Sequence, residues 1–142
     1  MIDHVWTVVC SGAAIDIDSN NVSIQNVLEQ INVAAEFAPD VMIGISYEIV
    51  SFWVRSEVET LARGRSRITL VEPRGNTIPV AEMPIDLTEV ERARHRICCQ
   101  GLRVTTPGRY IFQVELLEDG QSEWRPVASV PLRVVFTAPK DH

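Results

Sequence analysis

Arg92, Arg94 and Arg96 alternate with Ala93, His95 and Ile97 in a stretch that reads as a β-strand. Every second side chain of a strand points the same way, so the three guanidiniums share one face at spacings of roughly 7 Å. Three like charges that close repel one another unless acids or an anion intervene. Two chemistries follow. Glu or Asp on a neighbouring strand can neutralise the arginines, or the face can bind a small anion or nucleic acid. No aromatic residue interleaves the arginines along that face, so base stacking is not indicated. The net charge of −6 argues against general nucleic-acid binding. Arg63, Arg65 and Arg67 form a second alternating group.

Asp16, Asp18 and Asn20 repeat at the 1, 3, 5 spacing with which oxygen ligands wrap a hard cation. Position six is Asn21 rather than Gly, and position twelve is Val27 rather than Glu. The loop fails at its two most diagnostic places, and an Asx-rich hairpin turn is the expectation.

The three histidines, His4, His95 and His142, show no metal-ligand spacing with one another. The three cysteines include no C-x-x-C pair, and adjacent Cys98 and Cys99 point to opposite faces of a strand. Buried thiols in a reducing compartment are expected. A nucleophile made from Cys98 or Cys99 with His4 would need a third, orienting group and an open cleft. There is no G-x-S-x-G elbow and no phosphate loop. No catalytic residue, metal ligand or cofactor is assigned.

One further surface stands out. Val50, Phe52 and Val54 lie on the face opposite Trp53, in a strand whose two faces are both apolar. Such a strand is either covered or part of an interface. Here the cover would be the Ser56 to Arg65 connector, and the interface a homo-oligomer contact or an unknown protein partner.

These groups hang on elements legible from alternation and turn chemistry. The clearest is Pro107 to Glu118. A Pro-Gly turn leads into Tyr110, Phe112, Val114 and Leu116 on an apolar face, against Arg109, Ile111, Gln113 and Glu115. His4 to Cys10 reads as a strand. Val22 to Val33 reads as one strand, bulged near Asn26-Val27 and paired back on the first. A connector closed by Pro39 leads to the long strand Val41 to Arg55, bent at Gly44. A short helical turn is allowed within Ser56 to Arg65. Ser66 to Glu72 is a strand, and Pro73 to Asn76 is a turn. Thr77 to Ala81 is a short strand that Pro79 places at an edge. Thr88 and Glu91 fit a capping box, although a helix there carries less weight than a loop. Arg92 to Cys99 continues past a bulge at Gly101. Asp119-Gly120 is a hairpin turn, followed by a short return and a last strand, Ala128 to Thr137.

Residues 1–142 therefore read as a single domain of class all-β: a two-sheet antiparallel β-sandwich of Ig-like or related topology with about eight or nine strands. No apolar run approaches the ~20 residues of a membrane helix, and the start of the chain lacks the basic region of a signal peptide. The cytoplasm is the expected location.

The pieces NNVSIQNVLEQINV, RARHRICCQGLRVTTPGRYIFQVELLEDG and ASVPLRVVF resemble a family of short uncharacterised bacterial proteins, each a single β-sandwich domain of unknown function. The likeness rests on Q-G-L followed by P-G-x-Y-x-F-x-V-E-L. It implies the fold and a cytosolic bacterial origin, and it carries over no catalytic residue. The expected function is a non-enzymatic interaction or assembly module. The alternative is small-anion or nucleic-acid binding through the arginine face.

Overall fold

A computed structural model describes residues 1–34 and 41–137, with the side chain of Val41 left out. The connector closed by Pro39 and the tail that carries His142 lie outside the described residues. Nine strands are described: β1 (Ile2–Ile15), β2 (Val22–Val27), β3 (Gln30–Ala34), β4 (Val41–Arg55), β5 (Ala62–Val71), β6 (Thr77–Leu87), β7 (Arg92–Val104), β8 (Gly108–Glu118) and β9 (Arg125–Thr137). They form two sheets, ordered β2-β1-β4-β7 and β3-β9-β8-β5-β6. No helix occurs among the described residues.

Alternation builds the core. Tyr110, Phe112, Val114 and Leu116 of β8 are all buried, as are Tyr47, Ile49 and Trp53 of β4. Rings from the two sheets meet where Tyr47 lies 6.0 Å from Phe112. The Tyr110 hydroxyl closes one end. It donates to the Thr106 carbonyl (2.7 Å) and accepts from the amides of Thr105 (2.9 Å) and Thr106 (3.2 Å).

Two expectations need correction. Val22 to Val33 is two strands rather than one bulged strand. β2 pairs antiparallel with β1. Asn26 then takes a positive φ of 53°, a left-handed step that Asn tolerates better than most residues. The chain crosses to the second sheet, where β3 pairs parallel with β9. The five-stranded sheet is therefore mixed, and the two sheets are not purely antiparallel.

Smaller differences have local causes. β6 runs past Ala81 to Leu87, since Ile85 and Leu87 are core residues. It is an edge strand, as Pro79 implies. Residues 56–61 form a turn without a helix, and β5 starts at Ala62. Residues 88–91 are a bend. The Thr88 amide and hydroxyl both donate to Asp86 Oδ1, so Asp86 rather than Thr88 caps the turn. Gly101 adopts φ +93° opposite the register shift between Ile43 and Ser46, which is the bulge its position predicts.

Candidate functional site

The outward face of β4 is where the sequence-derived groups converge. Register places Trp6 of β1 opposite Phe52 of β4, and Phe52 opposite Arg94 of β7. The three side chains form one row across the sheet. The next row is Val8–Val50–Arg96, and the one beyond is Cys10–Glu48–Cys98. Trp6 and Phe52 stack, with centroids 5.6 Å apart and planes at 29°. Aromatics therefore do accompany the arginines, supplied by neighbouring strands rather than by β7 itself.

A hairpin covers part of this face. Pairing of β1 with β4 ends at Cys10–Glu48, while pairing of β1 with β2 starts at Cys10 and runs to Ile15. The distal half of β1 thus leaves the sheet and carries β2 with it. It crosses over β4, because side chains of β7 reach it. Arg94 donates from both terminal nitrogens to the Asn20 carbonyl (3.1 Å each), and Arg96 donates to the Ala13 carbonyl (3.1 Å). Val50 and Cys10 are fully buried beneath it. The cover over this face is this hairpin, not the Ser56 to Arg65 connector. Of the proposed interface residues Val50, Phe52 and Val54, only the half-buried Phe52 and Val54 remain accessible.

Between hairpin and sheet lies an open groove of about 710 Å³, lined by Trp6, Phe52, Arg92, Arg94 and Arg96 on the sheet side and by Ile15, Asn20, Asn21 and Val22 on the hairpin side. Its charge balance is uneven. Arg96 pairs with Glu48 at 2.7 Å. Arg94 bonds only to neutral acceptors of Asn20, and Arg92 has no ion-pair or hydrogen-bond partner among the described residues. On the other sheet Arg109 and Arg133 lie level with each other without an ion pair among the described residues, while three further arginines are neutralised across strands. Arg63 meets Asp86 (3.5 Å), Arg65 meets Glu82 (2.8 Å) and Arg67 meets Glu115 (3.1 Å). Arg67 also sits 4.2 Å over the Trp124 ring.

The remaining candidates are placed apart. Burial alone would push the Glu48 carboxyl up, but hydrogen bonds from Arg96 and Cys98 outweigh it and hold it below its ordinary value. The same bond raises the Cys98 thiol, because a thiol donating to a carboxylate keeps its proton. Burial raises the thiols of Cys99 and Cys10. None has the depressed pKa of a nucleophile. His4 lies against Trp53 at 5.1 Å and shares a 2.7 Å hydrogen bond with Thr7 Oγ1. Register sets His4 level with Ala93, six positions and therefore about 20 Å along β7 from Cys99. The structure does not bring Cys98 or Cys99 to His4.

Asp16 serves its own turn. Its carboxylate accepts from the Ser19 hydroxyl and amide (2.9 Å), which lower its pKa, and its carbonyl accepts from the Asn20 amide (2.8 Å). The Asn20 carbonyl faces a guanidinium, so a cation bound there would meet positive charge. Among the described residues no His, Cys, Asp and Glu cluster has metal-binding geometry.

No family model matches the chain, and no curated protein matches it. Among solved structures, it is similar to the Pseudomonas fluorescens alkylpurine DNA glycosylase AlkC bound to DNA containing an abasic site analog. That likeness covers 94% of this chain and 30% of that one, at 11% identity and TM-score 0.45. This chain thus spans less than a third of the length of AlkC, and so distant a likeness carries no argument about the groove. No helix among the described residues is long and apolar enough to cross a membrane.

Proposed function

We propose that this chain is a non-enzymatic binding module with an Ig-like sandwich topology, and that its groove takes an anionic ligand. Three features support the topology. β1, β4 and β7 take the places of strands A, B and E, and β5, β6, β8 and β9 those of C, C′, F and G. Tyr110 stands near the start of β8 with its hydroxyl bonded to backbone a few residues upstream, as in a tyrosine corner. Phe112, two residues on, meets Tyr47 of β4 where antibody domains place their inter-sheet disulfide.

The observation that carries the binding function is that Arg92 and Arg94, which meet no carboxylate among the described residues, line a groove beside Trp6 and Phe52 in a chain of net charge −6. Two guanidiniums on one face form forks suited to phosphate or carboxylate oxygens. The three cysteines are all free, which supports a reducing compartment such as the cytoplasm.

The test is titration with inorganic pyrophosphate at low salt, followed by NMR of arginine Nε and tryptophan indole groups. Saturable shifts at Arg94 and Trp6, weakening with salt and lost in the Arg92→Ala/Arg94→Ala variant, are expected. No saturable binding at low salt overturns the reading. Full burial of Val50 removes the first residue of the Val50, Phe52 and Val54 stripe from any self-association surface at this face. Sedimentation showing a dimer broken by Phe52→Ala would put the assembly role first.

A further inference from the structure

We infer that the ligand of this groove is a nucleoside phosphate, its base held between the hairpin and the Trp6–Phe52 pair and its phosphates by Arg92 and Arg94. The inference rests on the anion-binding reading above and adds the ring. One wall of the groove is aromatic, because Trp6 and Phe52, stacked on each other and only half-buried, both line it. The opposite wall is apolar. Ile15 projects from the hairpin with 41% of its surface exposed, and Val22 stands beside it. Two apolar walls with a gap between them suit a flat ring, and a base stacks on an aromatic face whatever its identity. The volume of about 710 Å³ lies within the range of small-ligand sites.

The polar groups occupy the places a nucleotide requires. Arg92 and Arg94 project from alternate positions of β7, roughly 7 Å apart, close enough for long guanidinium side chains to meet one diphosphate from two sides. Arg94 spends its two terminal nitrogens on one backbone carbonyl, that of Asn20. A phosphate oxygen is a stronger acceptor than a neutral carbonyl and displaces it. The Asn21 side-chain amide has no hydrogen bond among the described residues and stands free to read a base edge.

The same inventory selects a small ligand over a strand. A polymer-binding groove follows the backbone with a track of cations, and each phosphate neutralised steepens the salt dependence. Here the track is two unpaired arginines long, on a chain whose net charge repels a polyanion.

Calorimetry with ADP, pyrophosphate, adenosine and a ten-nucleotide single strand separates the outcomes. ADP should bind about tenfold tighter than pyrophosphate, because one stacked base adds to the same phosphate contacts. Trp6→Ala should remove that tenfold and leave pyrophosphate binding within about twofold. Ile15→Asn, a change at an exposed hairpin position, should weaken ADP severalfold without touching pyrophosphate, and it keeps the test open if Trp6→Ala fails to fold. Arg92→Ala/Arg94→Ala should abolish both. Equal affinity for ADP and pyrophosphate overturns the nucleoside inference while leaving the anion site standing. Failure of both ligands removes the site itself. A strand that binds tighter than ADP, with a log–log salt slope steeper than about −3, overturns the small-ligand inference in favour of a polymer.

Discussion

Replacing Tyr110 by Phe removes one oxygen and nothing else, and the structure fixes what that oxygen holds. It donates to the Thr106 carbonyl at 2.7 Å and accepts from the amides of Thr105 and Thr106 at 2.9 and 3.2 Å. The tyrosine is fully buried, so the ring stays packed in the variant. The three loop groups lose their partner together. A hydrogen bond contributes a net ~0.5–1.5 kcal/mol, and an orphaned buried group costs ~1–3 kcal/mol. The loop is only part-buried, so water restores some bonds, and the expected loss is about 2 kcal/mol. The effect should reach the next turn. The Thr105 hydroxyl donates to Glu72 Oε2 (2.9 Å), and Glu72 Oε1 accepts from the Asn76 amide (2.9 Å). Burial alone would raise the Glu72 carboxyl, but these hydrogen bonds outweigh it and hold it below its ordinary value. Urea denaturation of wild type and Tyr110→Phe should show a lower midpoint with an unchanged slope. Amide exchange at Asn76 should speed up as well. A loss below about 0.5 kcal/mol would mean that the hydroxyl is as well served by water, and that the corner does not anchor β7 to β8.

Three further outcomes are expected. His4 and His95 flank buried Trp53, at 5.1 and 6.4 Å, and burial lowers both pKa values from 6.5; the unfolded chain then binds more protons, so stability should be full above about pH 6.5 and fall as the pH drops towards the folded values. Denaturation midpoints between pH 7 and 5 measure this, and a flat profile, or one unchanged in His4→Gln/His95→Gln, rejects it. At Gly64 an added Cβ would lie 2.8 Å from the Leu117 carbonyl oxygen and 3.1 Å from the Glu118 Cα, both backbone. Gly64→Ala should therefore cost about 1–3 kcal/mol in thermal or urea unfolding, whereas Gly44→Ala, with nothing within 4 Å, should change stability by less than about 0.5 kcal/mol; equal effects would refute the packing argument. Arg94→Ala frees the hairpin turn from its tether at Asn20, so amide exchange at Asp16 and Asn20 should accelerate while global stability changes by less than about 1 kcal/mol; unchanged exchange would show that the turn is held by its own bonds.

The fold was legible wherever a local pattern carried it. The alternation of Tyr110, Phe112, Val114 and Leu116 required no partner to be read, and neither did the Gly101 bulge or the Pro79 edge. It failed between Val22 and Val33, because the switch of sheet after Asn26 depends on β9, about a hundred residues away, and nothing local encodes a parallel partner. The groove shows the same division. The arginine alternation and the apolar second face of β4 were visible separately, one as an anion site and the other as an interface. That they are one place follows only from register, which sets Trp6, Phe52 and Arg94 in a row.

Neutralisation was equally a matter of register. Arg96 sits diagonally from Glu48 and finds it, while Arg94 lies level with Phe52, and Arg92 level with Val54. Sheet geometry thus denies both arginines a carboxylate on the adjacent strand and leaves the hairpin turn to supply a neutral carbonyl in its place. An arginine left to a backbone oxygen retains its full charge and gives up little when an anion arrives. The Asn20 carbonyl at the hairpin turn is the group a bound anion would displace from Arg94, while Ile15 and Val22 stay paired with each other. Binding at Arg94 and exposure of residues 16–20 are then two readings of a single equilibrium.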